Sequence, residues 1–134
     1  MPNELGDTTM SKPSEPLTDG APVRRFKNPN YKNVGSNLAE LRLKIDLIDS
    51  QIIELLAERA LCVQDATRFK KDAFQVAAPA RQAQVFERVK SQAEAHLENF
   101  PNFPEIVETT YRTLVAGFIA SEQLLFQKTE IIKK

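Results

Sequence analysis

The stretch that decides the fold is "LAELRLKIDLIDSQIIELLAERALCVQDATRFKK", residues 38–71. Apolar residues recur along it in steps of three and four: Leu38, Leu41, Ile45, Ile48, Ile52, Leu55. That spacing marks one face of an α-helix. No glycine or proline occurs between Ser36 and Ala78, so nothing in the composition breaks it. "NLAE" at 37–40 supplies an N-cap asparagine with Glu40 three residues on, the pattern of a capping box. Glu40 and Lys44 then form an i,i+4 pair in the favoured order. The pattern predicts one helix from about Leu38 to Asp72, roughly 50 Å long.

The seam contains an anomaly. After Leu55 the next step lands on Arg59, and the steps beyond return to apolar character at Cys62 and Ala66. A guanidinium on an apolar face needs an anion. One reading is a structural salt bridge with a glutamate of a later helix, such as Glu122. The other is a ligand. Lys70 favours the ligand, because a continuous helix places it three turns beyond Arg59 and only about 20° around the axis. Arg42 is a third cation near the other end of the same helix.

Outside this stretch the chain changes character. Residues 1–35 hold five of the eight prolines and three of the four glycines, with no apolar periodicity. They read as a disordered or loosely ordered tail preceding a helical domain over 36–134. "AFQVAAPA" at 73–80 reads as a loop, with Pro79 opening the next helix. That second helix is expected over about Ala80–Leu97. "ENFPNFP" interrupts the chain, and a third helix is expected from about Pro104 to Lys128, with its seam on Val107, Tyr111, Leu114, Phe118, Ser121 and Leu125. Gly117 falls inside it, where a close helix contact would explain a residue that costs about 1 kcal/mol relative to alanine. The fold class is all-α, three helices with a very long first one. The later helices are too short to cover its whole seam, so an intertwined homodimer is expected, each long helix packing on its twin.

The chain has 134 residues, suited to one domain, with 18 basic and 18 acidic side chains. That balance argues against nucleic acid as a partner. No apolar run is long enough for a membrane span and no signal peptide is evident, so a cytoplasmic location is expected. One cysteine, Cys62, and one histidine, His96, leave no disulfide framework and no evident Cys/His metal or catalytic pair. Arg81 and Gln82 stand in the first turn of the second helix, and Gln123 shares a face of the third with Ile119. Cations, neutral amides and apolar walls, without an obvious base or nucleophile, suit a small dianion held in a fixed conformation.

These residues resemble a known family. The 38–71 stretch is similar to the first helix of the all-helical chorismate mutases, which reads L-R-x-x-I-D-x-I-D-x-x-I-x-x-L-L-x-x-R with a lysine eleven residues further on. "PARQAQVFERV" and "FPEIVETTYRTLVAGFIASEQ" resemble the second and third helices. The resemblance covers about residues 36–128. It implies an interlocked homodimer with two identical sites, no cofactor and no metal. By position, it implies that Arg42 enters the partner's site and binds a carboxylate, and that Arg59 binds the other. Lys70 and Gln123 would donate to the ether oxygen of the breaking C–O bond, while Arg81 and Gln82 would lie near the substrate ring. The implied reaction is the Claisen rearrangement of chorismate to prephenate, which moves no proton. Compaction of a floppy diacid and stabilisation of charge on the ether oxygen are sufficient for it. Since Gln123 has no proton to lose, the rate is expected to vary little with pH.

The chain departs from the pattern in places. Mutases of this class commonly carry glutamate where Gln82 stands and serine where Ile119 stands. In these positions, and in "RFK" and "P-x-R", the chain looks more like the isochorismate pyruvate lyases, which share the fold and split isochorismate into salicylate and pyruvate. The mutase reading is placed first and the lyase second. A third reading is a catalytically silent helical dimer that binds a partner through its tail. The retention of Arg42, Arg59, Lys70 and Gln123 speaks against it.

Overall fold

A computed structural model describes residues 13–133. Among them there is no strand, and the helices follow in the order α1 (Leu38–Ala66), a 3-10 turn (Thr67–Phe69), α2 (Ala73–Ala77), α3 (Pro79–Glu94) and α4 (Phe103–Phe126). The all-α class and the long first helix stand as expected. No helix among the described residues is long and apolar enough to cross a membrane. The chain divides into two compact units, one up to Glu54 and one from Leu55 onward.

In the first unit, residues 13–37 form turns and extended backbone. The remainder of the predicted tail lies outside the described residues. A turn at Asn28 brings the Phe26 and Tyr31 rings to 4.6 Å between centroids. The capping signal at 37–40 operates as chemistry: Asn37 Oδ1 accepts from the Glu40 amide at 2.8 Å, and Glu40 Oε1 accepts from the Ser36 amide at 2.5 Å. That backbone bond foremost, aided by nearby Lys44, holds the Glu40 carboxyl below its ordinary value against an opposing desolvation. Lys44 Nζ itself donates to the Val34 carbonyl.

α1 buries none of its residues within the chain. Ile45, Ile48 and Ile52 are 47–54% exposed. An apolar seam of this kind is expected to lie against something.

The second unit packs α3 against α4. Val85, Val89 and Val115 form its core, with Phe86, Val107, Tyr111 and Ile119 packed against them. Lys90 pairs with Glu108 and Arg112 lies over the Phe86 ring, so contacts advance along α3 as they retreat along α4, the signature of an antiparallel hairpin. Pro79 opens α3 in its first turn as expected.

Several expectations need correction. α1 leaves the α conformation at Ala66, six residues before the predicted end, where Thr67 Oγ1 lies 3.0 Å from the Val63 carbonyl and 3.1 Å from Glu122 Oε2, 55 residues later in the chain. The predicted loop at 73–80 contains α2, capped by Asp72, whose side chain accepts from the Gln75 amide. The second helix ends at Glu94 rather than Leu97, and the third spans Phe103–Phe126. The buried positions of α4 are Val115 and Glu122, so the inward stripe runs through Glu122 instead of Ser121. Gly117 does not mark a close contact within the chain, since a Cβ there would meet nothing within 4 Å.

Candidate functional site

The C-terminal end of α1, the segment 70–78, and the facing sides of α3 and α4 enclose a cavity of about 320 Å³. Every residue lining it belongs to the second unit. Its volume falls at the lower end of small-molecule pockets. Three cations reach it, Arg59, Lys70 and Arg81, together with one carboxylate, Glu122. Counted by formal charge, the walls are two net positive. Val76, Val85, Val115, Phe118 and Ile119 supply the apolar surface.

Arg59 arrives from α1 and is half-buried. Its guanidinium lies 4.8 Å from the centroid of the Phe118 ring. It makes no salt bridge to a described residue, and Glu122, the structural partner considered above, is engaged elsewhere. Stacking on an aromatic face leaves the N–H edge of a guanidinium available to an anion.

Lys70 is not on α1. It stands in extended backbone after the 3-10 turn, with φ −105° and ψ 135°, so the argument from a shared helix face does not apply to it. The turn nevertheless delivers its amine to the cavity, where Nζ donates to Glu122 Oε2 at 3.0 Å. Thr67 Oγ1 stands 3.1 Å from the same oxygen. Thr67 has one hydroxyl proton and two acceptors within reach, Val63 O and Glu122 Oε2, so it serves one at a time. Thr67 and Glu122 are both buried, at 3% and 4% exposure.

Arg81 and Gln82 come from the first turn of α3. Arg81 is exposed and donates to Gln84 Oε1 at 3.3 Å. Gln82 lines the cavity while its Nε2 donates to the Ala77 carbonyl at 2.7 Å. Ile119 forms part of the wall. Gln123 does not line the cavity. Its Nε2 donates to the Ala73 carbonyl at 2.9 Å. Arg42 is exposed on α1 in the unit that ends at Glu54.

The structure thus brings Arg59, Lys70, Arg81, Gln82 and Ile119 to one cavity and adds two wall groups, Glu122 and Cys62, that sequence reasoning did not assign to it. Glu122 is a wall residue with a carboxylate aimed at Lys70. Thr67 supports that carboxylate. Cys62, one turn beyond Arg59, also lines the space. The signal for Glu122 was present: it lies four residues after Phe118 and three after Ile119, the spacing of one helix face.

Comparison with known proteins gives two findings. The family model described as chorismate mutase type II matches residues 41–123, more than half of the chain. A bifunctional chorismate mutase/prephenate dehydratase from Pseudomonas aeruginosa is 33% identical over 94 residues, covering 66% of this chain and 24% of the relative. The chain therefore spans about a quarter of the length of that relative.

Proposed function

The chain belongs to the chorismate mutase type II family, and from that premise we propose that it rearranges chorismate to prephenate in the cavity between α1, α3 and α4. The observation that carries this reading is the charge of the walls. Three cations and one carboxylate enclose a small apolar-sided space, and a dianionic diacid neutralises it. Arg59, held over Phe118, takes one carboxylate of the substrate through its free N–H edge. Lys70 and Arg81 hold the other polar groups. Fixing both ends of a flexible diacid brings the reacting carbons together, which is most of what this reaction requires.

The ether oxygen gathers negative charge as its bond to carbon breaks, and donors placed there lower the barrier. Lys70 is one, once it exchanges its bond to Glu122 for the substrate. Gln123 is the proposed second donor, its amide turning from the Ala73 carbonyl that it now holds. An amide has no proton to lose, so a rate that varies little with pH near neutrality is expected.

Arg42 is assigned to the cavity of a second copy of this chain. The exposed seam of α1 supports that assignment, because Ile45, Ile48 and Ile52 need cover and a twin helix with the same spacing provides it. The protein then acts as a homodimer with two equivalent sites.

A second reading, isochorismate pyruvate lyase, is favoured by Gln82 and Ile119. Both line the cavity, where the mutase pattern has glutamate and serine. Purified protein is given chorismate and isochorismate in separate assays. Prephenate from the first is the expected product. Salicylate with pyruvate from the second, and nothing from the first, moves the assignment to lyase, and turnover of neither overturns both.

A further inference from the structure

The first two turns of α1 are fastened to the segment that precedes them. The Ala39 amide donates to the carbonyl of Thr18 at 2.8 Å. Lys44 Nζ donates to the carbonyl of Val34. Beside these bonds Gly35 packs on Leu41: a Cβ added at Gly35 would come within 2.8 Å of Leu41 Cδ2 and 2.9 Å of its Cγ. Leu41 is half-buried, whereas Ile45, Ile48 and Ile52 further along the same seam are exposed.

Each contact answers a need of the local sequence. The first amides of a helix have no intrahelical partner. Asn37 satisfies that of Glu40, and Thr18 supplies a carbonyl for that of Ala39. With no Cβ, Gly35 leaves room for Leu41. The chain from Thr18 to Val34 returns on itself through the turn at Asn28, where the Phe26 and Tyr31 rings meet. Both of its ends are thereby held on α1, as in compact surface loops whose ends lie close. Residues 18–35 precede the family match, which starts at residue 41. Arg42 stands between the fastenings, one turn beyond Ala39 and two residues before Lys44. A long exposed side chain on a fraying helix end samples many positions, and ordering it on binding weakens affinity. Fixing the helix beneath it removes part of that loss.

We infer that residues 18–35 form a strap that keeps the first two turns of α1 helical and so positions Arg42 for the substrate. Gly35 and Lys44 are the positioning residues. They act through the backbone beneath Arg42 and touch no ligand. The kinetic part of this inference rests on the place proposed for Arg42 in the cavity of a second copy, whereas the fastening is a property of the protein without substrate.

Two variants loosen the strap by different routes. Gly35→Val sets a branched side chain against Leu41, and Lys44→Met keeps side-chain length while removing the donor to Val34. Hydrogen–deuterium exchange of the full-length protein is read by NMR without substrate. The Ala39 amide should exchange about fivefold to tenfold faster in each variant, as when one hydrogen bond is lost, while amides of 50–55 change by less than about twofold. With chorismate, KM should rise about threefold to tenfold with kcat within about threefold of the parent, because a carboxylate anchor acts equally before and during the rearrangement. Lys44→Arg, which keeps a charged donor, should stay within about twofold of the parent in KM. In an Arg42→Ala background, Gly35→Val should change KM by less than about twofold, since the residue through which it acts is gone. Unchanged exchange at Ala39 in both variants overturns the strap. Faster exchange with unchanged KM, or an equal rise in KM with and without Arg42, overturns its role in positioning Arg42. If Arg42→Ala alone leaves KM unchanged, the place proposed for Arg42 fails and the kinetic part with it. If the parent turns over no chorismate, the proposed activity fails. In both of those cases the Ala39 amide still decides the fastening.

Discussion

Lys70 Nζ lies 3.0 Å from Glu122 Oε2, and only 5% of the Glu122 side chain is exposed. This pair joins the turn after α1 to the buried face of α4 across 52 residues of sequence. It is also the one place in the cavity where a negative charge faces the proposed dianion. A substrate that needs Lys70 must draw it from Glu122.

Glu122→Gln tests that competition. The substitution keeps the shape and an acceptor for Lys70 and Thr67 but removes the charge. KM for chorismate should fall about threefold to tenfold, the worth of about one charge-assisted hydrogen bond, with kcat within about threefold of the parent. A KM that rises instead would mean that the pair holds the cavity in shape and does not compete with the substrate.

Arg59→Leu separates ligand binding from packing. Arg59 is stacked on Phe118 and makes no salt bridge to a described residue, so leucine restores the apolar seam at the cost of one cation–π contact worth about 0.5–2 kcal/mol. Activity should be lost, while thermal stability stays within a few degrees of the parent or rises. A large drop in stability, measured by urea denaturation, would mean that the guanidinium holds the fold.

How much of this was legible in the sequence depends on how local the cause is. Arg59 could be found because its neighbours on α1 are three and four residues away and all apolar. Arg81 could be found because Pro79 announces the start of α3. The end of α1 could not, since Thr67 turns toward Glu122, 55 residues later, and nothing near Ala66 breaks a helix. α2 has five residues, too few for any periodicity to show. The inward stripe of α4 turned on helix phase. Adjacent residues differ by about 100° around the axis, and the apolar residues of α4 permit a stripe through Ser121 or through Glu122. Packing against α3 and the turn at Lys70 selects the second.

A separate pH effect concerns stability. Glu108 accepts two hydrogen bonds from Arg112, at 2.7 and 3.0 Å, and pairs with Lys90 at 3.5 Å. The Arg112 bonds foremost, with Lys90 aiding and desolvation opposing, hold its carboxyl below the ordinary value. A carboxyl depressed in the folded state stabilises fully above its unfolded value, about 4.3, and that contribution is lost as pH falls through the lower folded value. The stability advantage of the parent over Glu108→Gln should therefore be constant from about pH 6 to 7 and shrink progressively below about pH 4, as read from urea midpoints. An advantage that stays constant into the acid range would mean that the charge of Glu108 is not what it contributes.

Gly117 tests what covers α4. Within the chain a Cβ at this position meets nothing within 4 Å, and glycine in a helix interior costs about 1 kcal/mol relative to alanine. Gly117→Ala should therefore raise stability by about that amount if the surface beside it stays open to water. Should a second copy of the chain press its own helix there, the added methyl would meet backbone or packed side chains, and overpacking costs about 1–3 kcal/mol. Urea denaturation at two protein concentrations, with sedimentation to give the mass, distinguishes these. The expected result is a concentration-dependent midpoint in both proteins, showing the homodimer, with Gly117→Ala the more stable. A midpoint shifted down together with a weaker dimer would place Gly117 in the interface, and a monomer at all concentrations would remove Arg42 from the site.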